Sequence, residues 1–354
     1  MKQPGSESRL ILFLGADWWG SDARALAVAL RRLGHCLIEA NFEDYFPLHW
    51  SSFPLKVARR LIRPFCERNF NQAVFRHSDN KALDFMLVFK GVGLFPETLQ
   101  VFRGERIRPY CFYPDVSFLD HGRNIWNCLP LYDCVFTTKT FHVDDINVRS
   151  HVKEFCQVAH GFDPEVHRPV ELTAQVQAHY GCDVSFVGCW SPKKESQLAA
   201  IALGCPGVDL RIWGPGWARA ASAVGSRWQR RGAFGDELSI IYGSSKINLG
   251  LLSEAGGGTG QGDRVTARTW QIPAAGGFLL HENTPELARY FEPGREVGVF
   301  HSSSDLPKKI TRYLGNPDER TRILKSGSKR CHESNYIYDS AARTILDFHQ
   351  NSVS

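Results

Sequence analysis

Two hydrophobic periods alternate along the chain. Arg9 to Gly15 (RLILFLG) is an unbroken apolar run, the pattern of a parallel strand buried on both faces. From Ala23 to Leu33 the period lengthens. Ala23, Leu26, Ala27 and Leu30 stand at i, i+3, i+4 and i+7, which makes one helix face apolar; Ser21 or Asp22 can cap its start and Gly34 ends it. His35 to Ala40 reverts to strand, so the opening is a β-α-β unit, the seed of a doubly wound sheet. The alternation continues with a strand at Leu83 to Phe89, a helix at Thr98 to Arg103, a strand at Pro109 to Tyr113, and short strand signals at Leu131 to Thr137 and Lys153 to Ala159. Arg59 to Phe75 (RRLIRPFCERNFNQAVF) reads as one or two basic amphipathic helices interrupted at Pro64, taken as a surface helix of the first domain in preference to a membrane-contacting one.

At His160-Gly161-Phe162-Asp163-Pro164, and on to Arg168-Pro169, turn chemistry replaces periodicity and places an interdomain linker. The second half repeats the logic. Val184 to Val187 is a strand, Glu195 to Leu203 a helix, Asp209 to Trp213 a strand, and Gly214 to Trp217 a tight turn. Asp236 caps a short helix over Glu237 to Tyr242, and Lys246 to Leu252 is a further strand. Thr284-Pro285 opens a helix through Phe291, Ser304 or Asp305 caps Leu306 to Leu314, and further helices begin at Asn316 and Tyr336.

One stretch combines apolar strands with chemistry. In Leu249 to Glu282 a strand runs into a loop with Gly256, Gly257, Gly258, Gly260 and Gly262, then a polar helical segment with Arg264 and Arg268, then the strand Phe278 to Leu280. Glycine lets backbone N–H groups approach a phosphate, and a helix N-terminus and arginines favour negative charge. The spacing is neither a P-loop nor the dinucleotide fingerprint, so an anion site and an ordinary surface loop are both compatible with it.

Size and charge narrow the class. A chain of 354 residues exceeds the size at which a single core stops growing, so two domains are expected. The balance of 42 basic and 37 acidic residues suits an anionic ligand or a membrane surface but is too small to argue for nucleic acid. Ten cysteines, none in a C-x-x-C pair, read as reduced core thiols with no zinc pattern. No run of eighteen apolar residues and no signal-peptide pattern occur, which makes a cytoplasmic protein the expectation, with peripheral contact at the inner membrane face as an addition to it.

The segment DRVTARTWQIPAAGGFLLHENTPELARYF, with DVSFVGCW, GAFGDELSIIYGSSKINLGLL and VAHGFDPEVHRP, resembles the signature region of CgeB-type glycosyltransferases, a branch of the enzymes with the GT-B fold. The likeness is good over about residues 155 to 350 and thinner over 9 to 140. It implies an α/β chain of two Rossmann-like domains facing a central cleft: a disordered start (1–8), an acceptor-side domain (9–160), a nucleotide-sugar donor domain (161–335), and a C-terminal helix (336–354) crossing back to the first. It also implies sugar transfer from a nucleotide-diphosphate donor to a glycan, lipid-linked or protein hydroxyl, with no cofactor and no obligatory metal.

The same resemblance distributes the roles. Without a metal, the leaving diphosphate must be stabilised by cations and backbone N–H groups, for which the candidates are Gly188, Lys193 (preferred to Lys194), Gly257, Gly258, Gly260, Arg264 and Arg268. Ala233 and Phe234 stand where relatives hold the base. Gln271 stands where the family usually has a ribose-binding glutamate; its carbonyl can still accept a hydrogen bond, but without charge assistance. Asp263 stands where related enzymes place the acid facing the donor sugar, with retention as the default outcome. Asp17, beside Trp18 and Trp19, and Asp115, each following a first-domain strand, are candidate acceptor-orienting carboxylates or bases, with a turn or N-cap acid as the alternative. His160 in the linker is a candidate contact to the donor. Arg268→Ala is expected to lower turnover far more than stability. Two rival readings remain at this point: a nucleotide-sugar epimerase or phosphorylase on the same fold, and a catalytically degenerate nucleotide-sugar-binding protein, for which Gln271 is the strongest argument.

Overall fold

A computed structural model of the chain describes residues 8–47, 52–79, 81–256 and 259–353. They form two compact units. The first runs to Ala159 and includes Ala255–Gln261 and the chain from Tyr338; the second comprises His160–Glu254 and Gly262–Ile337.

The first unit is a six-stranded sheet, all parallel, of β1 (Leu10–Leu14), β2 (Cys36–Ala40), β3 (Phe85–Phe89), β4 (Arg108–Tyr113), β5 (Cys134–Thr137) and β6 (Phe155–Gln157), in the order β2-β1-β3-β4-β5-β6. Side chains of the central strands alternate between two cores. Ile11, Phe13, Phe85, Leu87, Tyr110 and Phe112 pack under helices Asp22–Arg32 and Tyr338–Val353. Leu12, Leu14, Met86, Val88, Cys111 and Tyr113 face the opposite layer, which includes helices Phe53–Ser78 and Pro96–Gly104. The last helix is tied in by an Arg32–Asp339 ion pair of 2.7 Å and by a 3.0 Å hydrogen bond between Tyr110 Oη and His349 Nδ1.

Ser21 caps the first helix, its hydroxyl accepting from the N–H groups of Ala23 (3.2 Å) and Arg24 (3.4 Å). Ser21→Ala is expected to cost about 1 kcal/mol, read as a lower urea midpoint; an unchanged midpoint would show that water replaces the cap at no cost.

The second unit is a five-stranded parallel sheet of β7 (Cys182–Val187), β8 (Leu210–Trp213), β9 (Ser245–Gly250), β10 (Leu279–Glu282) and β11 (Gly298–Phe300), in the order β11-β10-β9-β7-β8. Buried Asn248 pins its centre: its amide donates to the carbonyls of Tyr242 (3.0 Å) and Phe278 (3.3 Å) and accepts from Ser185 Oγ (2.7 Å). One core packs between this sheet and helices Pro192–Gly204 and Leu306–Gly315.

Several local expectations change. Residues 53–78 form one helix that runs through Pro64. Pro64 lies on the exposed side of that helix, where water can satisfy the carbonyl that its missing N–H would have bonded. The helix expected through Phe291 shrinks to a 3₁₀ turn, Leu287–Arg289, and the Tyr290 carbonyl just beyond it accepts from Arg330 Nε and Tyr336 Oη, each at 3.0 Å. The polar helical segment after the glycine loop begins only at Arg268, leaving Arg264 in a bend before it. Asp236 is the first helical residue rather than the cap, a position taken by Gly235. Seven of the ten cysteines are buried; Cys36 and Cys189 are exposed and Cys156 is half-buried. Among the described residues no helix is long and apolar enough to cross a membrane.

Candidate functional site

The sequence-predicted residues divide between the two units.

In the second unit the strand ends β7, β8 and β9 converge. Gly188 follows β7; its N–H donates to Trp213 O (2.9 Å) and its carbonyl accepts from Trp217 Nε1 (2.9 Å). Gly214, at a φ of 134°, presses against it so closely that a Cβ would stand 2.1 Å from Gly188 O. No other residue fits there. A Cβ on Gly188 itself would approach the Arg268 Nη1 to 3.1 Å.

Arg268 is the central cation of this edge. Its guanidinium donates to Val187 O (3.3 Å) and Leu251 O (2.7 Å), joining the ends of β7 and β9, and lies 5.3 Å from the Phe186 ring centroid. Its Nε is buried without a hydrogen-bond partner among the described residues.

The two adjacent lysines diverge. Lys193, the one the sequence favoured, gives its Nζ to Glu282 Oε1 at 2.5 Å, and Glu282 also accepts from Gln197 (2.9 Å). Lys194 points inward and is 4% exposed. Its Nζ donates to Ser253 Oγ (2.8 Å) and Cys189 O (3.4 Å), and it has no carboxylate ion-pair partner among the described residues. Burial, and then the nearby Arg268 charge, lower its pKa to about 8, against the opposing pull of Asp263 and Glu254. A buried cation supported by a hydroxyl and a carbonyl is an arrangement that an anion would complete.

Asp263 closes the base of the glycine loop. Its N–H donates to Ser253 O (2.9 Å), and its carboxylate accepts the Ser253 N–H at 3.4 Å. Glu254 accepts from Ser191 Oγ (2.6 Å) and Lys193 N–H (3.3 Å), and so links this loop to the one after β7. Arg264 accepts through its carbonyl from Thr284 Oγ1 (2.8 Å). Gln271 lies buried within helix Arg268–Ala274. Ala233 is buried and Phe234 exposed, followed by Gly235 at a φ of 57°. His160 is buried with its ring 5.9 Å from that of Trp270.

The loop itself divides. Gly257 and Gly258 lie outside the described residues. Gly260, expected at the diphosphate, belongs to the first unit, where its N–H donates to Asp145 Oδ2 (3.1 Å). Gly256 is there too, with no room for a Cβ beside Ser117 (2.8 Å).

At the carboxyl edge of the first sheet, Asp115 accepts from Lys90 Nζ and His121 Nε2, both at 2.8 Å. Burial raises its pKa, but Lys90 and His121 more than reverse this and hold the carboxyl well below the usual range. Such a group orients a hydroxyl but is a weak base. Lys90 sits at a φ of 64°, a strained backbone for a residue with a Cβ. Glu43, which the sequence reading passed over, has its pKa raised by burial, with Trp18 as a hydrogen-bond donor and Lys90 nearby working against that shift. Asp17 is exposed next to Trp18 and Trp19. The residues missed by sequence are therefore Ser253, Glu254 and Glu282 in one unit and Glu43, Lys90 and His121 in the other, while Lys194, which the sequence ranked behind Lys193, is the lysine that is buried.

Comparison with known proteins gives this geometry a setting. Residues 194–347 match the family model described as glycosyl transferase-like. A search of curated protein sequences finds no match. Among solved structures, sucrose-phosphate synthase from Thermosynechococcus elongatus is similar at 14% identity with a TM-score of 0.66, covering 98% of this chain and 99% of that one. HepE from Anabaena, in complex with UDP and glucose, is similar at 12% identity and 0.63, covering 97% and 100%. Trehalose 6-phosphate synthase from Burkholderia multivorans is similar at 11% identity and 0.58, covering 98% and 97%. The resemblance to CgeB-type enzymes in particular has no counterpart among these matches. The family match and the shared fold together support a glycosyltransferase: the chain has the two-sheet GT-B fold, and its residues 194–347 are similar to the glycosyl transferase-like family.

Proposed function

We propose that the chain transfers a glycosyl group from a nucleotide-diphosphate sugar, held by the second unit, to a hydroxyl acceptor on a glycan, lipid or protein. The observation that carries this reading is buried Lys194 beside Arg268, two cations at the carboxyl edge of a parallel sheet with no carboxylate ion-pair partner among the described residues. They would meet the diphosphate and stabilise the charge that builds on it as the glycosidic bond breaks, a role a metal plays in other transferases. The complexes of HepE with UDP, with UDP and glucose and with UDP-glucose support a uridine nucleotide as the first donor to test. Asp263 faces the donor sugar in this reading, and Asp115, kept ionised by Lys90, orients the acceptor hydroxyl while Glu43 or Asp17 takes its proton.

The test is a thermal-shift screen of nucleoside diphosphates and their sugars, followed by measurement of free nucleotide diphosphate with and without candidate acceptors in chelator. A ligand bound only by the folded state raises the melting temperature by mass action. The expected result is stabilisation by one nucleotide and a release that rises with acceptor. Stabilisation with no release in any acceptor would favour the binding protein, and acceptor-independent conversion of the sugar would favour the epimerase. Absence of any nucleotide effect would overturn the proposal.

A further inference from the structure

Helix Phe53–Ser78 carries Lys56, Arg59, Arg60, Arg63, Arg68 and Arg76 against one acid, Glu67. Its balance of +5 equals that of the entire chain. The inward face is closed by Cys66, Phe70, Ala73 and Val74, all buried in the first unit.

The outward face is not that of an ordinary surface helix. Val57, Leu61 and Phe65 recur at i, i+4 and i+8 with 47%, 76% and 65% of their surfaces in solvent. Arg60 and Arg68 stand on the same face, at i+3 and i+11, also exposed. Arg63 is committed to Glu67 at 2.8 Å and Arg59 lies 5.7 Å from the Phe46 ring, but Lys56, Arg60 and Arg68 have no ion-pair partner among the described residues. Outward apolar side chains interleaved with free cations suit a surface that is apolar below and anionic above. That is the headgroup boundary of an acidic bilayer, where cations meet lipid phosphates while apolar side chains sink into the acyl edge. A protein partner or a second copy would satisfy the apolar stripe but leaves the concentration of cations on this one helix unexplained.

We propose that this face, centred on Leu61 and Phe65 and flanked by Arg60 and Arg68, docks the protein on an anionic lipid bilayer. The helix lies in the interface and does not cross it.

Cosedimentation of the full chain with phosphatidylcholine vesicles, with and without roughly one-third phosphatidylserine, tests this. Binding is expected only to the acidic vesicles and should fall with salt. Leu61→Ser with Phe65→Ser should weaken it about tenfold or more, and Arg60→Glu with Arg68→Glu by at least as much, since each cation contributes about fivefold. All four side chains face solvent, so both variants should keep the wild-type circular dichroism and urea midpoint. Equal binding to neutral vesicles, no binding to either, or a wild-type dimer in lipid-free sedimentation that the Leu61→Ser, Phe65→Ser variant loses would overturn the proposal. The assay contains no nucleotide or acceptor, so its outcome is independent of the donor chemistry.

Discussion

Lys194→Met should make the protein more stable and far less active. The wild-type ammonium is buried, and its pKa is lowered to about 8 by desolvation first and Arg268 second. A lysine whose folded pKa lies below its unfolded value penalises the folded state fully below the folded pKa, and that penalty fades across the window where the unfolded chain is the more protonated. Stability should therefore rise as pH climbs from about 8 to the model-peptide lysine value of about 10.4. Methionine has similar volume and no charge to desolvate, so the variant should melt higher at pH 7 and lose that rise. Donor affinity should move the opposite way. Loss of one charge-assisted contact costs about 1.5–3 kcal/mol, and loss of an electrostatic stabiliser about a hundredfold in kcat. Binding of a nucleoside diphosphate, whose second phosphate ionisation lies near about 6, should weaken in the wild type as pH passes 8, while the variant shows no such slope. Calorimetric titration at several pH values reads both effects. A variant that is less stable and binds the nucleotide normally would make Lys194 a structural residue.

Arg268→Ala is expected to damage both properties, which departs from what the sequence implies. A loop arginine would be dispensable to folding, but this one spans Val187 O and Leu251 O and covers Phe186. Its removal leaves two carbonyls at the strand ends without their charged donor, a loss of about 3 kcal/mol, together with the cation offered to the diphosphate. Urea unfolding should show the lower midpoint, and steady-state kinetics a turnover reduced by about a hundredfold or more. A midpoint like that of the wild type would mean that water replaces the guanidinium.

The order of strands and helices was legible because strands buried on both faces write long apolar runs, as in RLILFLG and LDFMLVF. Tertiary competition was not. Nothing local says that the Tyr290 carbonyl will be taken by Arg330 and Tyr336, or that the well-capped helix before it will stop after a single 3₁₀ turn. β11 was missed because three residues of edge strand carry too little periodicity.

The lysines are the instructive case within the site. With the helix started at Glu195, both fell in a loop, and the preference went to Lys193. Started at Pro192, the same sequence puts Lys194, Gln197, Leu198 and Ile201 on one phase, i, i+3, i+4 and i+7, and that face is the buried one. The signal was present in the helical period and depended on where the helix begins. Glu43, Lys90 and His121 had no such signal, since they lie on separate connections and meet only when the first sheet is assembled.

The placement of the last helix bears on how the chain is made. Leu87, Tyr110 and Phe136 share a core with Ala341, Ala342 and Ile345, so that side of the first sheet, covered in part by helix Asp22–Arg32, is completed only when the chain from Tyr338 has left the ribosome. The second unit is encoded almost entirely before that point. Synthesis therefore reverses the order of the sequence, with the later unit able to close its core first and the earlier one waiting for the segment from Tyr338.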